Sequence, residues 1–237
     1  MNSTSPNLAE LPTLLRGETE SASAWVAQPD ARRLACWLAI IVVGSALYGA
    51  AMGWWRAPLQ AAYTAAKFPL VIVLTTLGNA LLNGMLAPLL GVNLGFRQSL
   101  LAVWMSFVIA ASILGALAPV LLFVVWNTPP FDAGPDSSVP AYRFMQLAVV
   151  AGIAGAGVVA NVRLLPLLRR HASGERAARR VLFAWLAGNL FLGSQICWML
   201  RPFIGRPMDA VTFLGPAPFE GNFFETVFEA VRVLVLQ

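Results

Sequence analysis

At 237 residues, the chain is 58% hydrophobic and only 11% charged, with a formal net charge of +5. A soluble domain of this size is about one-quarter charged, so the composition excludes an ordinary soluble fold and points to one compact membrane domain with a short polar head. The cations are fifteen arginines and one lysine; in so apolar a chain they report orientation and attraction to anionic headgroups rather than nucleic-acid binding.

Residues 1–33 are rich in Ser, Thr, Pro and Glu. They read as a flexible polar segment, with at most one helical turn around Leu8, Leu11, Leu14 and Leu15. Asp30 is a helix N-cap in the making. Five apolar runs follow, each near the roughly 20 residues needed to cross a bilayer core. They cover about 34–53, 68–90, 99–126, 144–168 and 181–200. Residues 57–66 form a short interfacial helix or extend the second span. Pro119 is expected to bend the third span, and Arg163 with Pro166 interrupts the fourth. Residues 127–141 form a Pro/Asp/Ser loop. The 201–237 tail opens with Arg201-Pro-Phe-Ile-Gly205 and reads as an ordered, folded-back interfacial cap. A last amphipathic helix, 223–236, lies on the membrane. The predicted fold is therefore all-α: a polytopic bundle of five transmembrane helices over 34–200 plus a C-terminal interfacial helix.

Trp37, Trp104 and Trp185 lie at one end of the odd spans and Trp54, Trp126 and Trp198 at the other, a pattern expected of interfacial belts. With the N-terminus inside, ten arginines fall on the inside segments against six cations outside. That bias predicts a cytoplasmic N-terminus. The excess of Arg over Lys and the abundant Ala and Gly suggest a bacterial chain, and hence the inner membrane. The two cysteines, Cys36 and Cys197, fall at opposite faces and read as small core residues.

Thr75, Asn79 and Asn83 recur every four residues and share one face of the second span. That stripe is either a path for a polar solute or a source of interhelical hydrogen bonds. The second reading is favoured, with Asn189, Ser194 and Gln195 as partners. Lys67 and Arg163 are the cations nearest membrane depth. Each lies close enough to a span end to snorkel to the interface, which is favoured over a role at a site. Gly155, amid other Gly and Ala residues, gives the fourth span a small side that permits close helix contact within the chain or between subunits. The lone His171 has no Cys or His neighbour, so neither a metal site nor a cofactor is expected.

Lys67-Phe-Pro-Leu70 with Thr75-Thr76, then Gly91, and Trp198-Met-Leu-Arg-Pro-Phe-Ile-Gly205 resemble a group of bacterial multi-span membrane proteins, some with Yip1-like names. The resemblance implies five spans and a cytosolic N-terminus across about 34–200. The DLYGP-type signature of the Yip1 family is not found here, and no functional residue is carried across. Without a nucleophile or acid–base constellation, the expectation is a non-enzymatic integral membrane protein. It would act as an accessory or scaffold subunit, contacting lipids and a membrane-protein partner or a second copy through Gly155 and Arg201. The rival is a small-solute transporter or channel using Asn79, Asn83, Asn189 and Gln195.

Overall fold

The computed structural model describes residues 10–130, 135–205, 210–215 and 217–235. Among them the elements are α1 (Leu11–Arg16), α2 (Thr19–Ala27), α3 (Ala31–Trp54), α4 (Pro58–Leu89), α5 (Phe96–Asn127), α6 (Pro135–Arg163), α7 (Leu165–His171), α8 (Glu175–Met199) and α9 (Phe223–Val235). Among the described residues, five segments are long and apolar enough to cross a membrane: α3, α4, α5, α6 running on into α7, and α8. The protein is thus an all-α polytopic bundle with a short C-terminal helix.

Local chemistry sets the helix ends. The Asp30 carboxylate accepts the Arg32 amide at 3.0 Å and caps α3. Pro58 opens α4, where its missing N–H has no intrahelical partner to lose. Residues 58–66 therefore extend the second span rather than forming a separate helix. The fourth span breaks at Leu164. Pro166 cannot donate to the carbonyl one turn earlier, so α7 begins anew. At the other end α6 starts at Pro135, which shortens the loop expected over 127–141.

The bundle is assembled around α3, which packs along both α4 and α5. Glycines make this close approach possible. A Cβ at Gly44 would collide with the Ala111 carbonyl of α5. A Cβ at Gly49 or Gly53 would lie 2.6 Å from the carbonyls of Thr64 or Gln60 on α4. The tightest small-residue seams are therefore on α3. On α6, a Cβ at Gly155 would meet nothing within 4 Å, and Gly155 is exposed.

Two expectations are corrected here. Residues 11–27 are two helices packed on the bundle, with Leu14, Ala22 and Val26 buried. Their apolar side covers the end of α5 and contacts α7. Ionic contacts hold them: Arg33 Nε donates to Glu10 Oε2 at 3.0 Å and its guanidinium lies 5.5 Å from the Trp25 ring. Arg163 Nη1 donates to the Arg16 carbonyl at 3.2 Å. The expectation of at most one helical turn is thus replaced by two helices; residues 1–9, including Leu8, lie outside the described residues.

The second correction concerns tryptophan. Trp37 and Trp185 are buried and Trp104 is half-buried, so this set is core rather than a lipid-facing belt. Trp25 packs edge-on against Trp37, with ring centroids 6.0 Å apart. At the opposite end Trp54 and Trp126 are exposed.

The loop between α4 and α5 is zipped to the turn between α7 and α8. Val92 and Ala172 form an isolated antiparallel bridge. Asn93 N–H donates to the His171 carbonyl at 2.8 Å, and Ser173 N–H to that of Gly91 at 2.9 Å. Gly91 reaches this geometry at φ +85°, a region that disfavours any side chain.

Gly44→Leu is expected to destabilise the bundle by about 3 kcal/mol, the upper end of the usual overpacking cost, because backbone atoms meet there and cannot yield as a side chain would. Gly155→Leu should shift stability by less than about 0.5 kcal/mol. Thermal unfolding of both variants in one detergent compares them directly.

Candidate functional site

Gln60, Thr64 and Lys67 stand at i, i+4 and i+7 on α4 and so share one face. All three are fully buried. Opposite them, α8 stops at Met199, and Pro202 cannot continue its hydrogen-bond ladder. The chain turns back through Gly205, at φ +81°.

The segment Arg201–Gly205 then lies on α4 as a strap. Lys67 Nζ donates to the carbonyls of Pro202 at 2.7 Å and Leu200 at 3.3 Å. Gln60 Nε2 donates to Pro202 at 3.0 Å and Phe203 at 2.8 Å. The Thr64 hydroxyl is 2.7 Å from the Phe203 carbonyl. The ammonium also lies 5.4 Å from the Phe203 ring centroid and 5.0 Å from that of Phe213. Carbonyl dipoles and aromatic faces offset the loss of water around the charge. Lys67 therefore does not snorkel: the chain's own tail buries it, and the expectation of a solvent-reaching side chain is corrected.

Arg201 fastens the other side of the strap. Its guanidinium lies 3.9 Å from the Trp198 ring centroid. Nη1 donates to the carbonyls of Trp198 at 2.9 Å and Pro218 at 3.1 Å, and Nη2 donates to Glu220 at 3.0 Å and to Ala217. Trp198 Nε1 also donates to the Glu220 carbonyl, at 2.8 Å. Arg201 thus draws the 217–220 turn onto the end of α8.

Deeper along α4 lies a chain of amides. Asn79 Nδ2 donates to Asn189 Oδ1 on α8. Asn189 Nδ2 donates to Asn161 Oδ1 on α6 at 3.3 Å, and Asn161 Nδ2 to the Gly157 carbonyl at 2.8 Å. Three helices are thereby joined by side-chain hydrogen bonds, as polar residues do inside membranes. Asn189 had been expected as a partner, whereas Asn161 had not been singled out. Its one signal in the sequence was an amide within an otherwise apolar run.

The remaining sequence candidates fall outside this chain. The Ser194 hydroxyl bonds the Phe191 carbonyl in its own helix at 2.9 Å. Gln195 is half-buried. Thr75 is buried, its hydroxyl without a hydrogen-bond partner among the described residues, and faces Gly193. The Asn83 side chain lies outside the described residues. Arg163 is an exposed residue at the end of α6 that holds the N-terminal helices. Cys36 and Cys197 are free thiols.

Fold and polar interior together define a multi-pass helical membrane protein. Comparison with protein-family models, curated proteins and solved structures finds no match to the chain.

Lys67→Met should loosen the strap at a cost of about 2 kcal/mol, the scale of hydrogen bonds to a charged group. Faster proteolysis within 201–222, with the spans left intact, would report it. Asn79→Leu should cost about 1 kcal/mol, in line with interhelical hydrogen bonds in membranes, as read by unfolding in mixed micelles.

Proposed function

We propose that this protein is a non-enzymatic accessory or scaffold subunit of a membrane complex. Its C-terminal cap serves as the presenting surface. The observation that carries this reading is the division of the cap into two sides. Its inner side is tied down by Gln60, Thr64, Lys67 and Arg201. Its outer side presents Leu214 and Phe219, the latter 79% exposed. A rigid mount carrying an exposed aromatic suits recognition, because aromatic anchors dominate binding energy at interfaces. The open side of α6 around Gly155 offers a second close-contact surface, to a partner helix or a second copy.

The polar stripe supports the same reading over solute transport. Asn79, Asn189 and Asn161 bond one another across three helices, which is a packing role. Orientation rests on charge. The end that carries α1, α2 and the zipped loops gathers Arg16, Arg32, Arg33, Arg97, Arg163 and the α7–α8 arginines. Positively charged short segments stay on the cytoplasmic side. The N-terminus is accordingly cytoplasmic, in the inner membrane of a bacterium.

Blue-native electrophoresis of gently extracted protein tests the proposal. Gly155→Leu and Arg201→Ala should each deplete a higher-mass complex, and Gly155→Leu should do so without altering thermal stability. Complexes left intact by both substitutions would sink it. So would a lone protein whose solute flux in liposomes is abolished by Asn79→Leu.

A further inference from the structure

The corner between α7 and α8 carries Arg169, Arg170, Arg176, Arg179 and Arg180. Glu175 engages two of them, Arg169 Nη2 at 2.7 Å and Arg179 Nε at 2.8 Å. Arg176 and Arg180 stand one turn apart on α8, exposed, and form no ion pair among the described residues. Like charges at this spacing repel and weaken a helix, so an anion between them would relieve a cost already present in the fold.

The same face continues with Phe183, Ala187 and Leu190, which keep the helical spacing set by Arg176 and Arg180. Phe183 is 72% exposed and Leu190 54%. The buried residues Ala178, Val181 and Trp185 occupy the opposite face, against the bundle. α8 is also the least covered candidate span, with 17% of its apolar window buried inside the structure. One outward strip thus runs from two unpaired guanidiniums to an aromatic ring, a small residue and an aliphatic side chain. At ~1.5 Å per residue it is about 21 Å long. That length matches a headgroup plus the acyl region of one leaflet, which is half of a hydrocarbon core of roughly 30 Å.

We propose that this strip binds one anionic phospholipid. Its phosphate lies between Arg176 and Arg180, whose planar forks fit phosphate oxygens. An acyl chain lies in the shallow gap that Ala187 leaves between Phe183 and Leu190. This assignment goes beyond the scaffold reading and does not depend on it.

The test uses the full chain in nanodiscs of phosphatidylcholine with a minor share of phosphatidylglycerol, released into the mass spectrometer under native conditions. The wild type should retain one phosphatidylglycerol. Arg176→Gln with Arg180→Gln should reduce that retention about fivefold for each arginine removed. Arg32→Gln with Arg97→Gln removes equal charge from exposed residues at the same end and should leave it unchanged. Phe183→Ser should weaken retention without changing the charge. Equal loss in both arginine pairs would mean diffuse electrostatic attraction and would overturn the proposal. Displacement of the lipid from wild-type protein by millimolar inorganic phosphate would also overturn it, since the acyl chain would then contribute nothing. This last measurement needs no variant and stands even if a substitution impairs folding.

Discussion

Where α8 ends, the chain leaves buried carbonyl groups out of reach of water, and the arrangement of this end of the protein follows from how they are satisfied. Inside a bilayer each backbone polar group must find a partner within the protein. Here the partners come from α4. Lys67, Gln60 and Thr64 direct their donors at Leu200, Pro202 and Phe203. The need runs in both directions, because a buried ammonium also requires acceptors. The strap and the lysine therefore solve each other's desolvation. Arg201 extends the solution outward to the 217–220 turn. The mount that presents Leu214 and Phe219 rests on this exchange.

The same economy of polar contacts holds at depth. Asn79, Asn189 and Asn161 link α8 and α6 to α4, the helix that also forms a glycine seam with α3. The bundle thus combines two kinds of cohesion. Around α3, absent side chains let backbones touch, and dispersion over many atoms supplies the attraction. Towards α6 and α8 the packing is looser, and directed hydrogen bonds take over. This asymmetry leaves α8 and the Gly155 side of α6 outermost, which is where surfaces for lipid and partners would be expected.

The spans were legible because their cause is one-dimensional. An apolar run of membrane length between charged loops carries its own evidence, and the caps at Asp30 and Pro58 mark helix starts through local chemistry. The site was legible only in fragments. Asn79 and Asn189 were recognisable as amides inside apolar runs, and Arg201-Pro202 as a fold-back. The fate of Lys67 was not legible. Near a span end, a lysine with a long stem has two outcomes, and the choice depends on whether a segment more than a hundred residues later lies over it. The tryptophans misled for a similar reason. Trp37 stands at the right height for an interfacial belt, but α2 covers it with Trp25.

The sequence by itself determined the class: an all-α, five-span membrane protein with charge gathered at one end. Length, hydropathy and charge are sums over neighbours in the chain, and the membrane reads them without reference to the rest of the fold. The tertiary structure decided which groups are exposed. It buried Lys67 under the strap, joined Asn161 to a bond chain that only three helices together can make, and brought two helix backbones together at Gly44, with Gly155 left open. Each of these outcomes depends on the approach of segments distant in sequence, and the cost of leaving a polar group or a void in hydrocarbon decides among the possible approaches.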